Sequence, residues 1–182
     1  SDDLGVIRPT AEVIGHLTRN NHVGLLATEG TVKSKSYDME IAKLWPDIKA
    51  TGQACPFWVP LIEYDEADSP GADYFVKKRI DQLMQKDPDI DTIILGCTHY
   101  PLLMPTIVKY TQPGIRIVPQ GEYVATSLKD YLLRHNDMEQ LITRGGTVTY
   151  YTTENTEKFK HSATIFLHEE VEAHHVELGN QE

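Results

Sequence analysis

The chain has 182 residues and is 40% hydrophobic, which is enough to bury the core of one domain, or of one domain plus part of another. Its formal net charge is -10, and nucleic-acid binding depends on clustered Lys and Arg, so nucleic acid is not expected as a partner. No apolar run approaches the roughly 20 residues that span a bilayer, and the N-terminus lacks the layout of a signal peptide. We therefore predict a cytoplasmic protein that does not bind membranes.

The first half of the chain alternates short apolar runs with stretches of helical periodicity. The pattern predicts strands at residues 4–7, 22–27 and 48–54 and helices at 10–19 and 31–44, with Pro46 ending the second helix. The segment 55–63, which Pro56 and Pro60 bracket, is expected to follow an extended path.

The second half continues the alternation. We predict a helix at 71–86, a strand at 91–95 that is covered on both sides, a helix with Pro101 in its first turn, and a strand at 115–118. Helices at 121–134 and 156–168 are expected around a strand at 147–151. Strand-helix alternation of this kind predicts an α/β fold with a doubly wound parallel sheet and right-handed crossovers.

Ligands of open parallel sheets bind beyond the carboxyl ends of the strands. The segment GCTHYP at 96–101 places Cys97 between a buried strand and a helix N-terminus, where a thiolate would be stabilised. Thr98 offers a hydroxyl and an amide to a carboxylate, and His99 is suited to proton exchange. The alternative reading of Cys97 is a small apolar core residue.

Two other strand ends carry weaker signals. Thr28 and Thr31 flank a glycine and suit a carboxylate or phosphate, although Thr31 as a plain helix N-cap explains the pattern equally well. Glu63 either orients His99 or is an ordinary surface glutamate. Cys55, which has no basic neighbour in sequence, is interpreted as structural.

Metal binding is the less favoured interpretation of the histidines near the C-terminus. The segment HEEVE at 168–172 lacks the second histidine of an H-E-x-x-H motif, and a solvated helix carrying His168, His174 and His175 explains the pattern better. The two cysteines of the chain are also too few for a disulfide scaffold or a thiolate zinc site. No metal site is predicted, and a reducing compartment is inferred.

The block GCTHYPLL at 96–103 closely resembles glutamate racemases, whose second catalytic cysteine lies in such a block. The resemblance continues in the same order and spacing through GVIRP at 5–9, LLATEGTVKS at 25–34, ACP at 54–56 and VPLIE at 59–63. It implies a cofactor-independent enzyme that interconverts L- and D-glutamate and supplies D-glutamate for peptidoglycan. Two similar α/β domains would face each other across a cleft, and each would contribute one cysteine.

The resemblance also assigns roles to residues of this chain. Cys97 would be one acid/base, Thr98 would bind the substrate carboxylate, and His99 and Glu63 would assist proton transfer at Cys97. Thr28 and Thr31 would line the substrate site. The expected partners are L- and D-glutamate, and association into a homodimer is left open.

The chain departs from the family pattern in two places. The N-terminal aspartate-serine loop and the first cysteine with its Asn-Thr neighbours are not found, and VPQGE at 118–122 replaces the aspartate-serine-glycine stretch of many relatives. We therefore predict one complete domain over residues 5–117 and a segment, 118–182, that would complete a second, mostly missing domain. Such a fragment should be inactive alone.

Two other functions fit the same residues. An aspartate or hydantoin racemase would share the fold and the paired cysteines, and the run Thr98-His99-Tyr100 favours glutamate over these. A non-catalytic module that binds an acidic metabolite would not need Cys97. Replacing Cys97 by alanine separates this last reading from both enzymes.

Overall fold

The computed structural model describes residues 4–120, 149–152 and 172–175 of the chain. Its helices are α1 (Leu4–Leu17), α2 (Glu29–Ser34), α3 (Ser36–Leu44), α4 (Trp58–Glu63), α5 (Pro70–Lys86) and α6 (Met104–Tyr110), with a 3-10 turn at Tyr100–Leu103. Its strands are β1 (His22–Ala27), β2 (Lys49–Ala54), β3 (Thr92–Leu95), β4 (Arg116–Pro119), β5 (Thr149–Thr152) and β6 (Glu172–His175).

The first four strands form one parallel sheet in the order β2-β1-β3-β4. The chain moves outward from β1 to β2 and then crosses back to β3, so the strand order reverses between β1 and β3. A crevice at such a reversal is the usual ligand site of an open parallel sheet. The predicted α/β fold and these four strands are confirmed, and β5 and β6 form a separate parallel pair.

The sheet is covered by helices on both faces. Side chains of successive strand residues point to opposite faces, and in β3 Ile94 belongs to one core cluster whereas Ile93 and Leu95 belong to the other. Helices α1 and α3 pack on the first face, and α4, α5 and α6 pack on the second. All of β3 is buried, which confirms the strand covered on both sides.

The predicted strand at 4–7 is wrong, because these residues begin helix α1, which continues through Pro9. Ile7, Ala11 and Ile14 are all buried in the first core cluster, and their spacing of four and three residues is helical. Burial of this face outweighs the backbone hydrogen bond that Pro9 cannot make.

The predicted helix at 31–44 is two helices. Lys35 separates α2 from α3 with a φ of 60°, and its amide donates to the carbonyl of Val32 at 3.3 Å. A left-handed residue ends a helix by redirecting the chain. The change of direction lets Tyr37 and Ile41 of α3 reach the core, where they are 1% and 2% exposed.

The extended path predicted for 55–63 is also wrong. Phe57 adopts a φ of 77°, and α4 begins at the next residue. Pro60 is the third residue of α4, a position at which the missing amide proton is not needed for an intrahelical hydrogen bond. Pro56 therefore precedes a helix and Pro60 lies in its first turn, so the two prolines do not mark an extended segment.

The predicted C-terminal helix around His174 and His175 is wrong where the structure describes it, because 172–175 form strand β6, whose backbone ladder with β5 replaces helical hydrogen bonds. His168 and the helices predicted at 121–134 and 156–168 lie outside the described residues. The division of the chain at residue 117 stays a prediction. None of the described helices is long and apolar enough to cross a bilayer.

Candidate active site

The backbone register aligns the residues that follow β3 and β4. The amide of Gly96 donates to the carbonyl of Leu26 at 2.8 Å, and the amide of Gln120 donates to the carbonyl of Leu95 at 2.9 Å. Both hydrogen bonds extend the strand ladders by one residue. Gln120 therefore lies beside Gly96, at the strand spacing of about 4.8 Å.

Thr28 lies on the β1 side of Cys97, opposite to Gln120, which lies on the β4 side. Leu26 pairs with Leu95 in the sheet, so continuing this register by two residues places Thr28 beside Cys97. The two residues stand on either side of the point where the strand order reverses. The sequence therefore brings a thiol and a hydroxyl to the crevice that the topology creates.

The turn after β3 presents Cys97 at the surface of the crevice. Tyr100 is fully buried and packs against Trp58 with ring centroids 4.9 Å apart, and its amide donates to the carbonyl of Cys97 at 3.1 Å. This anchor leaves Cys97 partly buried and leaves Thr98 and His99 exposed. The helical turn begins only at Tyr100, so Cys97 does not directly precede a helix as predicted.

The Cys97 thiol has a basic neighbour. Its Sγ atom lies 3.8 Å from Nδ1 of His99, within the range of a sulfur hydrogen bond. An imidazole in this position is able to accept the thiol proton or to donate to the thiolate.

The two threonines of the second predicted junction also contact each other. The hydroxyl of Thr28 donates to the hydroxyl of Thr31 at 3.1 Å and accepts from the Thr31 amide at 3.4 Å. Thr28, and not Thr31, is therefore the N-cap of α2. Both side chains also line the crevice, so helix capping by Thr28 does not exclude the predicted role of the two threonines in ligand binding, which stays a prediction.

The crevice contains an open cavity of about 300 Å³, a size suited to a small metabolite. Five of the six predicted site residues line it, namely Thr28, Thr31, Cys97, Thr98 and His99. Their side chains supply hydroxyl, thiol and imidazole groups. The individual roles of these residues remain predictions.

Glu63 is the predicted residue that does not join this cavity. It is the last residue of α4 and is exposed, and within the described residues its side chain forms no hydrogen bond or ion pair. Cys55 is buried, its thiol contacts the carbonyl of Gln53 at 3.5 Å, and burial raises the pKa of this thiol. A structural role for Cys55 fits these features.

Three cavity residues were not predicted: Ile7, Tyr37 and Gln120. The sequence pattern predicts a strand at Ile7 and gives Tyr37 only as an apolar position of a helix. Gln120 follows β4 directly, so the rule that led to Cys97 applies to it as well. The hydroxyl of Tyr37 donates to Oε1 of Gln120 at 2.6 Å.

A cluster of ionisable side chains lies at the opposite, amino-terminal edge of the sheet. Nδ1 of His22 lies 2.7 Å from Oδ2 of Asp87, the ammonium of Lys49 lies 3.7 Å from the same atom, and Asp89 is close by. Because Asp87 already has the His22 imidazole and the Lys49 ammonium as partners, we interpret this cluster as a polar network and not as a metal site.

Comparison with known families agrees with the geometry of the crevice. A family model described as Asp/Glu/Hydantoin racemase matches residues 4–125, more than half of the chain. The chain belongs to this family. The resemblance seen in the sequence is thereby confirmed, and this racemase-family chain carries Cys97 within the matched region.

Individual relatives of this racemase-family chain are glutamate racemases. It is 35% identical over 182 residues to the glutamate racemase of Lactiplantibacillus plantarum, covering 98% of this chain and 65% of that protein. It is 34% identical over 181 residues to the glutamate racemase of Listeria monocytogenes, covering 97% and 65% of the two chains. The chain therefore spans less than two thirds of the length of these relatives.

Solved structures of glutamate racemases share the fold of this racemase-family chain. A glutamate racemase isoform from Bacillus anthracis is similar with a TM-score of 0.61 and 29% identity, covering 94% of this chain and 63% of that one. The glutamate racemase from Francisella tularensis, in complex with D-glutamate, is similar with a TM-score of 0.56 and 25% identity, covering 92% and 61%.

Proposed function

We propose that this chain is part of a glutamate racemase that interconverts L- and D-glutamate by acid/base chemistry at two cysteines, without a cofactor. The observation that carries the proposal is the placement of Cys97, 3.8 Å from His99, in a cavity that Thr28, Thr31 and Thr98 also line. The role would be the supply of D-glutamate for peptidoglycan in the cytoplasm.

Inversion at the α-carbon requires that a proton leaves one face and that another arrives at the opposite face. The Cys97 thiolate would remove the α-proton from one enantiomer, or its thiol would donate a proton to the carbanion formed from the other. His99 would exchange a proton with Cys97. Thr98, next to Cys97 in the chain, would hydrogen-bond the carboxylate and so stabilise the carbanion.

Only one of the two required thiols is present in the cavity. Cys97 lines it, whereas Cys55 is 3% exposed and does not, and the sequence contains no third cysteine. Glu63 would assist at Cys97 only if it approached the crevice in the assembled enzyme. We therefore propose that the 182-residue chain binds glutamate but does not racemise it.

Protection of Cys97 from alkylation tests the proposal directly. The purified chain is treated with iodoacetamide, and modification of each cysteine is followed by mass spectrometry of its peptides. We expect L- and D-glutamate to slow the modification of Cys97, because both enantiomers would occupy the same cavity. Cys55 provides an internal control, because its buried thiol should react only after unfolding.

The same assay separates the competing functions. Stronger protection by aspartate than by glutamate would favour the aspartate or hydantoin racemase reading. Absence of protection by either glutamate enantiomer would contradict the proposal, and D-glutamate formation from L-glutamate by the purified chain would contradict the requirement for a second thiol. A biological activity that survives the substitution Cys97→Ala would support the non-catalytic module.

A further inference from the structure

Gln120 occupies a place in the cavity that matches the place of Thr28. Both residues follow strands that neighbour β3, so they stand on opposite sides of the turn that carries Cys97. The lining residues that the structure describes include neither Lys nor Arg. A carboxylate bound in this cavity would therefore depend on hydroxyl and amide donors and on the His99 imidazole.

The Gln120 amide is held in one orientation by Tyr37. The Tyr37 hydroxyl donates to Oε1 of Gln120 at 2.6 Å, and the Tyr37 side chain is 1% exposed. The tyrosine ring passes close to Gly96, where an added Cβ would lie 3.3 Å from Cε2 of the ring. Glycine at position 96 thus leaves room for the ring that reaches Gln120 from the core.

With Oε1 engaged, the Nε2 group of Gln120 is the remaining hydrogen-bonding group of the amide. No side chain or carbonyl among the described residues accepts from it, and Gln120 is only partly buried. An amide whose oxygen is fixed presents two N-H donors in a defined direction. Because the side chain is already held in place, it loses little conformational entropy when a ligand binds.

We infer that Gln120 binds a carboxylate of the substrate through Nε2, and that Tyr37 is the residue that positions it. The inference rests on the proposed function, because it takes the ligand to be an amino dicarboxylate whose α-carbon lies at Cys97. Gln120 is about one strand spacing, 4.8 Å, from the strand that carries Cys97. The α-carboxylate of glutamate is bonded to the α-carbon, and the side-chain carboxylate lies two methylenes further along. Either carboxylate can therefore reach Gln120 when the α-carbon lies at Cys97.

The affinity for D-glutamate, measured by the concentration dependence of Cys97 protection, tests the inference. Gln120→Leu should raise the Kd about tenfold, the effect of one hydrogen bond to a charged group. Gln120→Glu should raise it further, because a carboxylate would face a carboxylate. Tyr37→Phe retains the amide but frees its orientation, and should raise the Kd about threefold.

Controls separate binding from folding and identify the carboxylate. Gln85→Leu changes an exposed glutamine of α5 and should leave the Kd unchanged, and the thermal unfolding midpoint of each variant reports its folding. Norvaline, which lacks the side-chain carboxylate, distinguishes the two ends. A Kd for norvaline that also rises in Gln120→Leu assigns Gln120 to the α-carboxylate, and an unchanged one assigns it to the side-chain carboxylate.

Two results would overturn the inference in distinguishable ways. If wild-type Cys97 is protected by D-glutamate and folded Gln120→Leu and Tyr37→Phe are protected with the same Kd, Gln120 does not bind substrate although the proposed function stands. If wild-type Cys97 is not protected at all, both the proposed function and the inference fail.

Discussion

Nδ1 of His99 lies 3.8 Å from Sγ of Cys97, and both groups face the open cavity beyond β3. An imidazole at this distance is positioned to accept the thiol proton when the sulfur attacks an alkylating reagent. We therefore expect His99→Ala to slow the alkylation of Cys97 by about three- to tenfold at pH 7. Peptide-level mass spectrometry measures the rate, and an unchanged rate would remove His99 from the chemistry of Cys97.

A side chain at Gly96 should destabilise the fold. A Cβ at this position would lie 2.8 Å from Cδ1 of Leu25 and 3.1 Å from Cβ of Ala27, so Gly96→Ala should lower the free energy of unfolding by about 1 to 3 kcal/mol. The matched control is Gly30→Ala in α2, where nothing lies within 4 Å of the added atom. Urea titration should show the control to be neutral or slightly stabilising, and equal effects at both glycines would contradict the packing argument.

Asp87 should make the stability of the fold depend on pH in the acidic range. Burial alone would raise the pKa of this carboxyl, but the hydrogen bonds from His22 and from the Asp89 amide, with the charges of His22 and Lys49, lower it overall. A lowered folded-state pKa means that the stabilisation is complete above the unfolded pKa of about 3.9 and is lost as the pH falls through the folded pKa.

The substitution Asp87→Asn tests the direction of this pH dependence of stability. At pH 7 it should lower the free energy of unfolding by about 2 kcal/mol, because it removes charge-assisted hydrogen bonds, and the difference from wild type should shrink below pH 4. Asp47→Asn, at an exposed aspartate, serves as the comparison. Urea titrations at several pH values measure the free energy of unfolding of both proteins. A difference between wild type and Asp87→Asn that grows towards low pH would contradict the lowered pKa of Asp87.

Thr28 should contribute to stability and to binding, whereas a second helix cap should contribute only to stability. Thr28 caps α2 and lines the cavity, and Ser69 caps α5 by accepting from the Ala72 amide at 3.3 Å. Alanine at either position should cost about 1 kcal/mol. Only Thr28→Ala should also weaken protection of Cys97 by glutamate, and Thr28→Ser should restore both properties. Equal protection in both alanine variants would exclude Thr28 from the site.

Much of the sheet and of the site could be predicted because the relevant rules are local. Continuous β-branched burial identifies β3, and the carboxyl ends of parallel strands identify Cys97 and Thr28. The same rule applies to Gln120, which lies in the stretch where the sequence departs from the family pattern. Its contact with Tyr37 joins residues 83 positions apart, and no local pattern encodes such a contact.

The errors lie where a proline or a left-handed residue falls at a helix. Pro9 lies between the predicted strand at 4–7 and the predicted helix at 10–19, and Pro60 lies in the segment predicted to be extended, yet both prolines are part of helices. Tertiary burial of one helix face outweighs a single lost hydrogen bond in α1, and the first turn of a helix tolerates the proline of α4. The left-handed backbone at Lys35 and Phe57 depends on packing, because neither residue type favours it.

The ion pair of His22 and Asp87 and the thiol of Cys97 occupy opposite ends of the sheet. Strand β3 separates these ends with four buried residues, a distance of about 13 Å at 3.3 Å per residue. Substitutions more than about 10 Å apart that share no partner usually act independently. Changes at His22 or Asp87 should therefore alter the stability of the fold without altering the alkylation rate of Cys97 in the folded chain, so that the two properties can be changed separately by mutation.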